Sequence, residues 1–395
     1  MFVKTGDIEH ESFLNVDRGW NAYGSWPSDV PNAKEYWLVW RYTHLGVPDP
    51  KVIPKFSEAL KRVVRETRER NIPVAGVQLD IDSPTSTLAE YAAFLREIRK
   101  TLPAGYQLSI TALLDWFRPG TAVGSVIDQV DEFVPQFYDL GNPRNGDDSA
   151  IAAKIDAARW GPVFNRFGKR FRIGIATFGR GTVMRASKEQ NLGIIGFRDL
   201  SPIDVSANQA FDLVVTRNDA GERVLTYRAT RPTRISYMNF SPGDTVRFIL
   251  SSRDQVRTAT MSAQAMGGHL AGVLYFRWPA HDESLAMQPD EVLEAAAAAP
   301  PKARENRIDT IDGRCASVYC ADLYLESPTD SENEIQAIIR SSAELEYFLP
   351  SQRVPVRMTG PSRLELSIPA FGARGRIYLG RAVSASRVNF TVAAR

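Results

Sequence analysis

Between residues 74 and 86 the chain reads VAGVQLDIDSPTS, in which Gln78, Asp80 and Asp82 alternate with Val77, Leu79 and Ile81. A period of two marks a strand with one polar and one apolar face. Two carboxylates on the polar face, followed at once by Ser-Pro-Thr-Ser, place acid chemistry at a strand end. The next strand candidates end in the same way. QLSITALLDWF (107–117) holds Ser109, Thr111, Leu113 and Asp115 in one phase and is followed by Trp116. DEFVPQFYDL (131–140) holds Val134, Gln136 and Tyr138 in one phase, with Asp139 at its end. Arg41 closes an earlier strand candidate, Arg180 follows a later one, and Arg277 and Trp278 close the last. Carboxylates, a tyrosine and tryptophans gathered at strand ends suit a sugar site. Glycosidic cleavage needs a protonated acid for the leaving oxygen and a second group that stabilises the oxocarbenium-like transition state, while flat indoles stack on sugar rings. Carboxylates this close also shift one another's pKa, so one of Asp80 and Asp82 could keep its proton near neutral pH and act as the acid.

The elements that position these groups alternate. YWLVWRYT (36–43) reads as a strand and residues 50–70 as an amphipathic helix with Ile53, Phe56, Leu60, Val63 and Val64 on one side. VAGVQLDID, 107–117, 131–140, RFRIGIATFG (170–179) and GVLYFRWP (272–279) read as strands, with helices expected over 86–102, 123–130, 149–167, 245–266 and 290–300. Parallel strands joined by helical crossovers follow from this order. No G-x-G-x-x-G and no G-x-x-x-x-G-K-[ST] occurs, so nucleotide-binding open sheets are disfavoured. The expected fold is therefore a (β/α)8 TIM-type barrel over residues 1–300, irregular at its N-terminal strands, where FLNV and GWNAYG are weak candidates. A hairpin insertion is expected around 205–232, turning at Asn218-Asp219-Ala220-Gly221. Past Pro300-Pro301, short strands separated by Pro, Gly and Ser turns describe a β-rich, sandwich-like module over 301–395. In a barrel the catalytic groups collect at the C-terminal strand ends.

The totals exclude several classes. The 395 residues include 48 Lys and Arg against 46 Asp and Glu, a net charge of +2 without the basic field of a nucleic-acid binder. No apolar run is long enough to span a membrane, and the N-terminus lacks the apolar core of a signal peptide. The four histidines and two cysteines never fall at metal-ligand spacing, so neither a metal nor another cofactor is expected. Cys315 and Cys320 are read either as a local disulfide, which would imply an oxidising compartment, or as two reduced thiols.

The run G-V-Q-L-D-I-D, followed two units later by Q-F-Y-D, resembles a degenerate form of the family 18 glycoside hydrolases, whose fourth strand carries D-G-x-D-x-D-x-E and whose sixth carries M-x-Y-D. With Gly76 on the motif glycine, Asp80 falls on the last aspartate and Asp82 on the catalytic glutamate, while Ala75 and Gln78 take the earlier aspartate positions. Tyr138 and Asp139 match the Tyr-Asp pair, and Trp278 matches the tryptophan that floors the sugar site. The chain also resembles, over roughly residues 36–390, an uncharacterised bacterial family, the domain of unknown function 3142. Its members show a similar Q-x-D-x-D followed by Thr-Ser, an L-S-I-T-A strand and V-D-E-x-V-P, and their β-rich tail ends near L-G-R-A.

The first resemblance implies a bacterial, periplasmic or secreted hydrolase that cleaves a polysaccharide containing 2-acetamido or amino sugars by substrate assistance. Asp82 would be the acid, with Asp80 and Tyr138 steadying the acetamido group. Arg41, Gln78, Asp115, Trp116, Gln136, Asp139, Arg180 and Trp278 are the expected substrate contacts. The opposing reading keeps the Asp pair structural, paired to a residue such as Arg41, on a decayed barrel that binds polysaccharide or assists envelope assembly without catalysis. For Asp115 and Trp116 the opposing reading is a helix cap and a packing aromatic, and Trp37 and Trp40 read as core.

Overall fold

The structure, a computed structural model, describes residues 1–13, 16–44, 46–138, 150–186, 190–195, 200, 202–206, 208, 210–279, 283, 285–299, 306–327, 335–351, 354–368 and 375–394. Two strands open the chain, β1 (Phe2–Phe13) and β2 (Val16–Gly24), followed by β3 (Tyr36–Tyr42) and α1 (Ile53–Glu69). Alternation then holds through β4 (Val74–Ile81), α2 (Leu88–Arg99), β5 (Gln107–Leu113), α3 (Val123–Ile127), β6 (Glu132–Phe137), α4 (Ala157–Asn165) and β7 (Arg170–Ala176). Phe56, Ala59, Leu60, Val63, Val64 and Thr67 form the buried side of α1 at helical spacing. Each fully buried Leu, Val or Phe of this kind stabilises the fold by about 2 kcal/mol.

The chain next leaves this rhythm for an inserted sheet of β8 (Arg180–Arg185), β9 (Gln190–Ile195), β10 (Phe211–Arg217), β11 (Arg223–Ala229) and β14 (Thr245–Leu250). A short helix α5 (Pro202–Ser206) and a ribbon of β12 (Thr233–Ile235) and β13 (Met238–Phe240) lie between them in sequence. The strand order is β10-β11-β14-β8-β9, so the expected hairpin forms one side of a larger sheet. Its turn is closed by Gly221 N–H to Asn218 O at 2.9 Å, with Gly221 at a φ of 78° that a side chain would resist. The helix expected over 245–266 is corrected to β14 and then α6 (Arg253–Gln264). In TVRFIL, Val246, Phe248 and Leu250 are buried at period two and pack into the inserted sheet.

The rhythm resumes in β15 (Leu270–Phe276) and α7 (Pro289–Ala296). The β-rich tail follows as β16 (Arg307–Asp312), β17 (Tyr319–Ser327), β18 (Ile335–Ser341), β19 (Tyr347–Pro350), β20 (Val356–Gly360), β21 (Arg363–Ile368), β22 (Gly375–Ser384) and β23 (Phe390–Ala394). It forms two four-stranded sheets, β16-β17-β22-β19 and β20-β21-β18-β23, and Cys315 and Cys320 are joined by a disulfide. By internal contacts the chain divides into two compact units. The first is Met1–Phe137 with Ile155–Ile175 and Thr260–Leu274, and the second holds Tyr138–Lys154, Ala176–Ala259 and Tyr275–Arg395. Among the described residues no helix is long and apolar enough to cross a membrane.

The eight-stranded sheet has the order β15-β7-β6-β5-β4-β3-β1-β2. The expected barrel is met in coarser form, as a curled, mostly parallel half-barrel sheet with β2 antiparallel on β1. The N-terminal strands are Phe2–Phe13 and Val16–Gly24, the second extending GWNAYG by three residues, while Leu14 and Asn15 of FLNV lie outside the described residues. The β1–β3 pairing shifts register between Lys4 and Gly6, which breaks the period-two pattern of β1. The bulge serves the fully buried Trp40, whose ring lies 2.5 Å from where a Cβ on Gly6 would stand. Replacing Gly6 by Ala therefore forces the ring or the strand to move. Denaturant unfolding is expected to show Gly6→Ala less stable by roughly 1–3 kcal/mol.

Candidate functional site

In-register parallel strands put equivalent residues of neighbouring strands on the same face. Arg41 pairs with Asp80 and Val39 with Gln78 across β3 and β4, and Gln78 pairs with Ser109 across β4 and β5. Leu113 lies opposite Gln136 across β5 and β6. Side-chain contacts follow these rows. Gln78 donates from Nε2 to Ser109 Oγ at 3.1 Å, with both residues buried. One row further along, Asp80 accepts from Thr111 Oγ1 at 2.8 Å and from Gln136 Nε2 at 3.4 Å through the same oxygen. Its other oxygen lies 3.8 Å from Arg41 Nε, which stands half exposed. Asp80 is thus the hub of a four-residue polar cluster drawn from β3, β4, β5 and β6. The Gln78–Ser109 row continues into β6 at Glu132, whose role is structural. Buried Glu132 accepts from Arg172 Nε at 2.8 Å, which disposes of a charge that burial would otherwise penalise.

Asp82 is half-buried and follows the last residue of β4. The chain turns sharply behind it. Ser83 N–H donates to Ile81 O at 3.0 Å, the Ser83 and Thr87 hydroxyls bond at 2.9 Å, and Trp116 Nε1 donates to Ser83 O at 2.8 Å. Trp116 is fully buried and stacks edge-on against Tyr91, with centroids 5.8 Å apart. It thus offers no free ring to a sugar. The structure makes it the clamp on the turn that carries Asp82.

Tyr91, on the buried side of α2, is a residue the sequence reading missed. Its hydroxyl has no hydrogen-bond partner among the described residues. Burial raises its phenol well above the ordinary value of 10.0, and the charges of Asp80 and Asp82 add to the rise. Its spacing with Leu88, Ala92 and Leu95 reads as core, and only the polar tip could have singled it out.

The other expected contacts divide. Asp115 does not join the cluster. Strand β5 ends at Leu113, so the alternating phase stops there, and Asp115 lies exposed on a 3₁₀ turn with Arg118 at 2.6 Å. Trp37 and Trp40 are core. Tyr138 belongs to the second unit, where its ring stacks on Phe276 at 5.3 Å and 9° and meets Phe178 edge-on. Arg180 is buried in the inserted sheet opposite Ile249, and Arg277 is paired with Glu283. Trp278 is 55% exposed, and Asp139 lies outside the described residues.

Residues 47–211 match the family described as a domain of unknown function, DUF3142. No curated protein is significantly similar to the chain. Among solved structures, the chain is similar to chitinase ChiA74 from Bacillus thuringiensis at 12% identity and a TM-score of 0.42, over 91% of this chain and 80% of that one. It is similar to the spore cortex-lytic enzyme SleL of Bacillus megaterium at 12% identity and a TM-score of 0.42, over 68% of this chain and 61% of that one. A class V chitinase from Pseudomonas fluorescens is similar at 14% identity and a TM-score of 0.41, over 67% and 80% of the two chains.

Two expectations test this geometry. A phenol whose folded pKa is raised stabilises the fold fully below its unfolded value near 10, and that contribution is lost as pH rises toward the folded value. Stability of the native chain should therefore fall above pH 10 by on the order of 1 kcal/mol per pH unit from this group, a slope that Tyr91→Phe removes in denaturant titrations at pH 9 to 11. Trp116→Phe keeps the ring but strands the Ser83 carbonyl, and a loss of about 1–3 kcal/mol is expected in the same measurement at pH 7.

Proposed function

We propose that the chain is a glycoside hydrolase that acts on a polysaccharide containing 2-acetamido or amino sugars, with Asp82 as the general acid. The observation that carries this reading is the state of Asp80. A carboxylate on the inner row of β4 is fixed by Thr111, Gln136 and Arg41, while a second carboxylate stands two residues on, at the strand end, on a clamped turn. One group held in place and one presented at the strand end are the two parts that glycosidic cleavage asks of a carboxylate pair. The motif positions of Asp80 and Asp82 support the same assignment.

Asp82 gives its proton to the glycosidic oxygen as the bond to the anomeric carbon breaks. The carbonyl oxygen of the sugar's own acetamido group bonds to that carbon from the opposite face, and Asp80 steadies the acetamido N–H. Water, deprotonated by Asp82, then opens the cyclic intermediate and restores both the acid and the anomeric configuration. The roles of Tyr138 and Asp139 rest on the motif alone. Arg41, which stands half exposed, supplies hydrogen bonds to hydroxyls, and the stacking role of Trp278 rests on the motif alone. A polymer substrate and the Cys315–Cys320 disulfide fit a secreted or periplasmic setting.

A second reading, a polysaccharide-binding protein without turnover, is favoured by Gln78. It fills a motif carboxylate position and spends its amide on Ser109. Incubation with a panel of acetylated and deacetylated polysaccharides decides between the two. Hydrolysis is expected on at least one acetylated polymer, and Asp82→Asn should lower kcat by about 100-fold or more. Turnover that survives the substitution removes Asp82 as the acid, and binding without turnover on every polymer favours the second reading.

A further inference from the structure

The two sheets of the C-terminal tail share one apolar core, to which β17 contributes Leu323 and Leu325 and β22 contributes Ile377 and Leu379. The other side of the sheet β16-β17-β22-β19 presents the alternate residues, and strand register sets them in rows. Ile311, Asp322, Arg381 and Leu349 form one row across the four strands. Tyr324 lies beside Tyr378 in the next row, and Tyr347 pairs with Val383 on the far side. Tyr347, Leu349 and Tyr378 are 48%, 55% and 40% exposed.

The polar groups among these side chains are fixed. Arg381 grips Asp322 through two hydrogen bonds of 2.8 and 2.7 Å, and the Tyr378 hydroxyl donates to the same carboxylate at 3.2 Å. The Arg376 guanidinium covers Tyr324 at 4.0 Å and pairs with Asp309, and Arg307 pairs with Glu326. Three arginines meet three carboxylates, so these pairs leave the face without net charge.

Single exposed apolar residues are ordinary. Here they stand in adjacent rows around an oriented and neutralised ion pair. A protein partner would have to strip water from that pair, and the desolvation penalty offsets much of what the contact returns. A glycan avoids this cost, because its hydroxyls take the place of water as donors to Asp322 and acceptors from Arg381, while its C–H faces cover the rings. The lack of net charge selects among glycans.

We propose that this face of the tail is a binding surface for an uncharged polysaccharide, in which Tyr347 and Tyr378 stack on sugar rings and the Asp322–Arg381 pair binds hydroxyls. It is formed by strands other than those carrying Asp80 and Asp82 and needs no catalysis.

Adsorption isotherms of the full chain on suspended chitin and cellulose, with chitosan and polygalacturonate as charged controls, test the inference. The wild-type chain should adsorb to a neutral polymer, and 1 M NaCl should leave the affinity within about twofold, since screening acts on net charge. Tyr347→Ala with Tyr378→Ala should weaken adsorption by about tenfold or more, as losing two anchor residues does at other binding faces. Tyr347→Phe, which keeps the ring, should retain it. If the double variant does not fold, the exposed Tyr347→Ala alone should still weaken adsorption several-fold. Adsorption to no neutral polymer, or adsorption indifferent to these tyrosines, overturns the proposal. Tyrosine-dependent adsorption in a chain without turnover sinks only the hydrolase reading, and turnover on soluble oligosaccharides with no adsorption sinks only this surface.

Discussion

Strands β3 to β6 are paired in register, and every polar residue on their common face must find its partner on a neighbouring strand. Water is scarce there, and a buried donor or acceptor left unpaired costs about 1–3 kcal/mol. Most of these groups are matched, with Glu132 on Arg172 of β7, Gln78 on Ser109, and Asp80 shared by Thr111, Gln136 and Arg41. The arrangement that satisfies the interior is the same one that fixes a carboxylate near the strand ends. Stability and orientation of the site are thus one problem with one solution, and a change at Thr111 or Gln136 disturbs both.

The half of the fold with a clean period was legible in the sequence. Val77, Leu79 and Ile81 against Gln78, Asp80 and Asp82 announce β4 and its two faces, and the structure keeps that division. Legibility failed where a local feature interrupts the period. The bulge at Gly6 hides β1, since a strand that shifts by one residue exchanges its faces midway. In Thr245–Leu250 the apolar residues also suited a helix, and only their place in the inserted sheet decides for a strand. Extending the phase of β5 past its last residue puts Asp115 with Thr111, and a 3₁₀ turn does not continue that phase. The ring of Trp116 suggests a stacking platform, whereas its indole N–H holds the Ser83 carbonyl.

In the second unit, a single buried carboxylate orders much of the local backbone. Glu222 accepts from the backbone N–H groups of Ile151 and Ala152 at 3.0 and 2.8 Å and from the Asn218 side chain at 2.8 Å. Ile151 and Ala152 then join Tyr138, Val224 and Ile249 in one apolar cluster. A polar anchor is thus placed beside an apolar seat, and both fix Ile151 and Ala152.

The inserted sheet also bears on the order in which the chain assembles. β15 must find β7 across nearly a hundred residues, and a flexible loop of that length carries a closure entropy that slows the encounter. Yet Arg180, just past β7, pairs with Ile249 near the end of β14. Once those two strands meet, most of the intervening chain is bypassed and only a short tether separates the two partners. The insertion thus shortens the effective loop between β7 and β15, which lowers the closure entropy that their pairing must overcome.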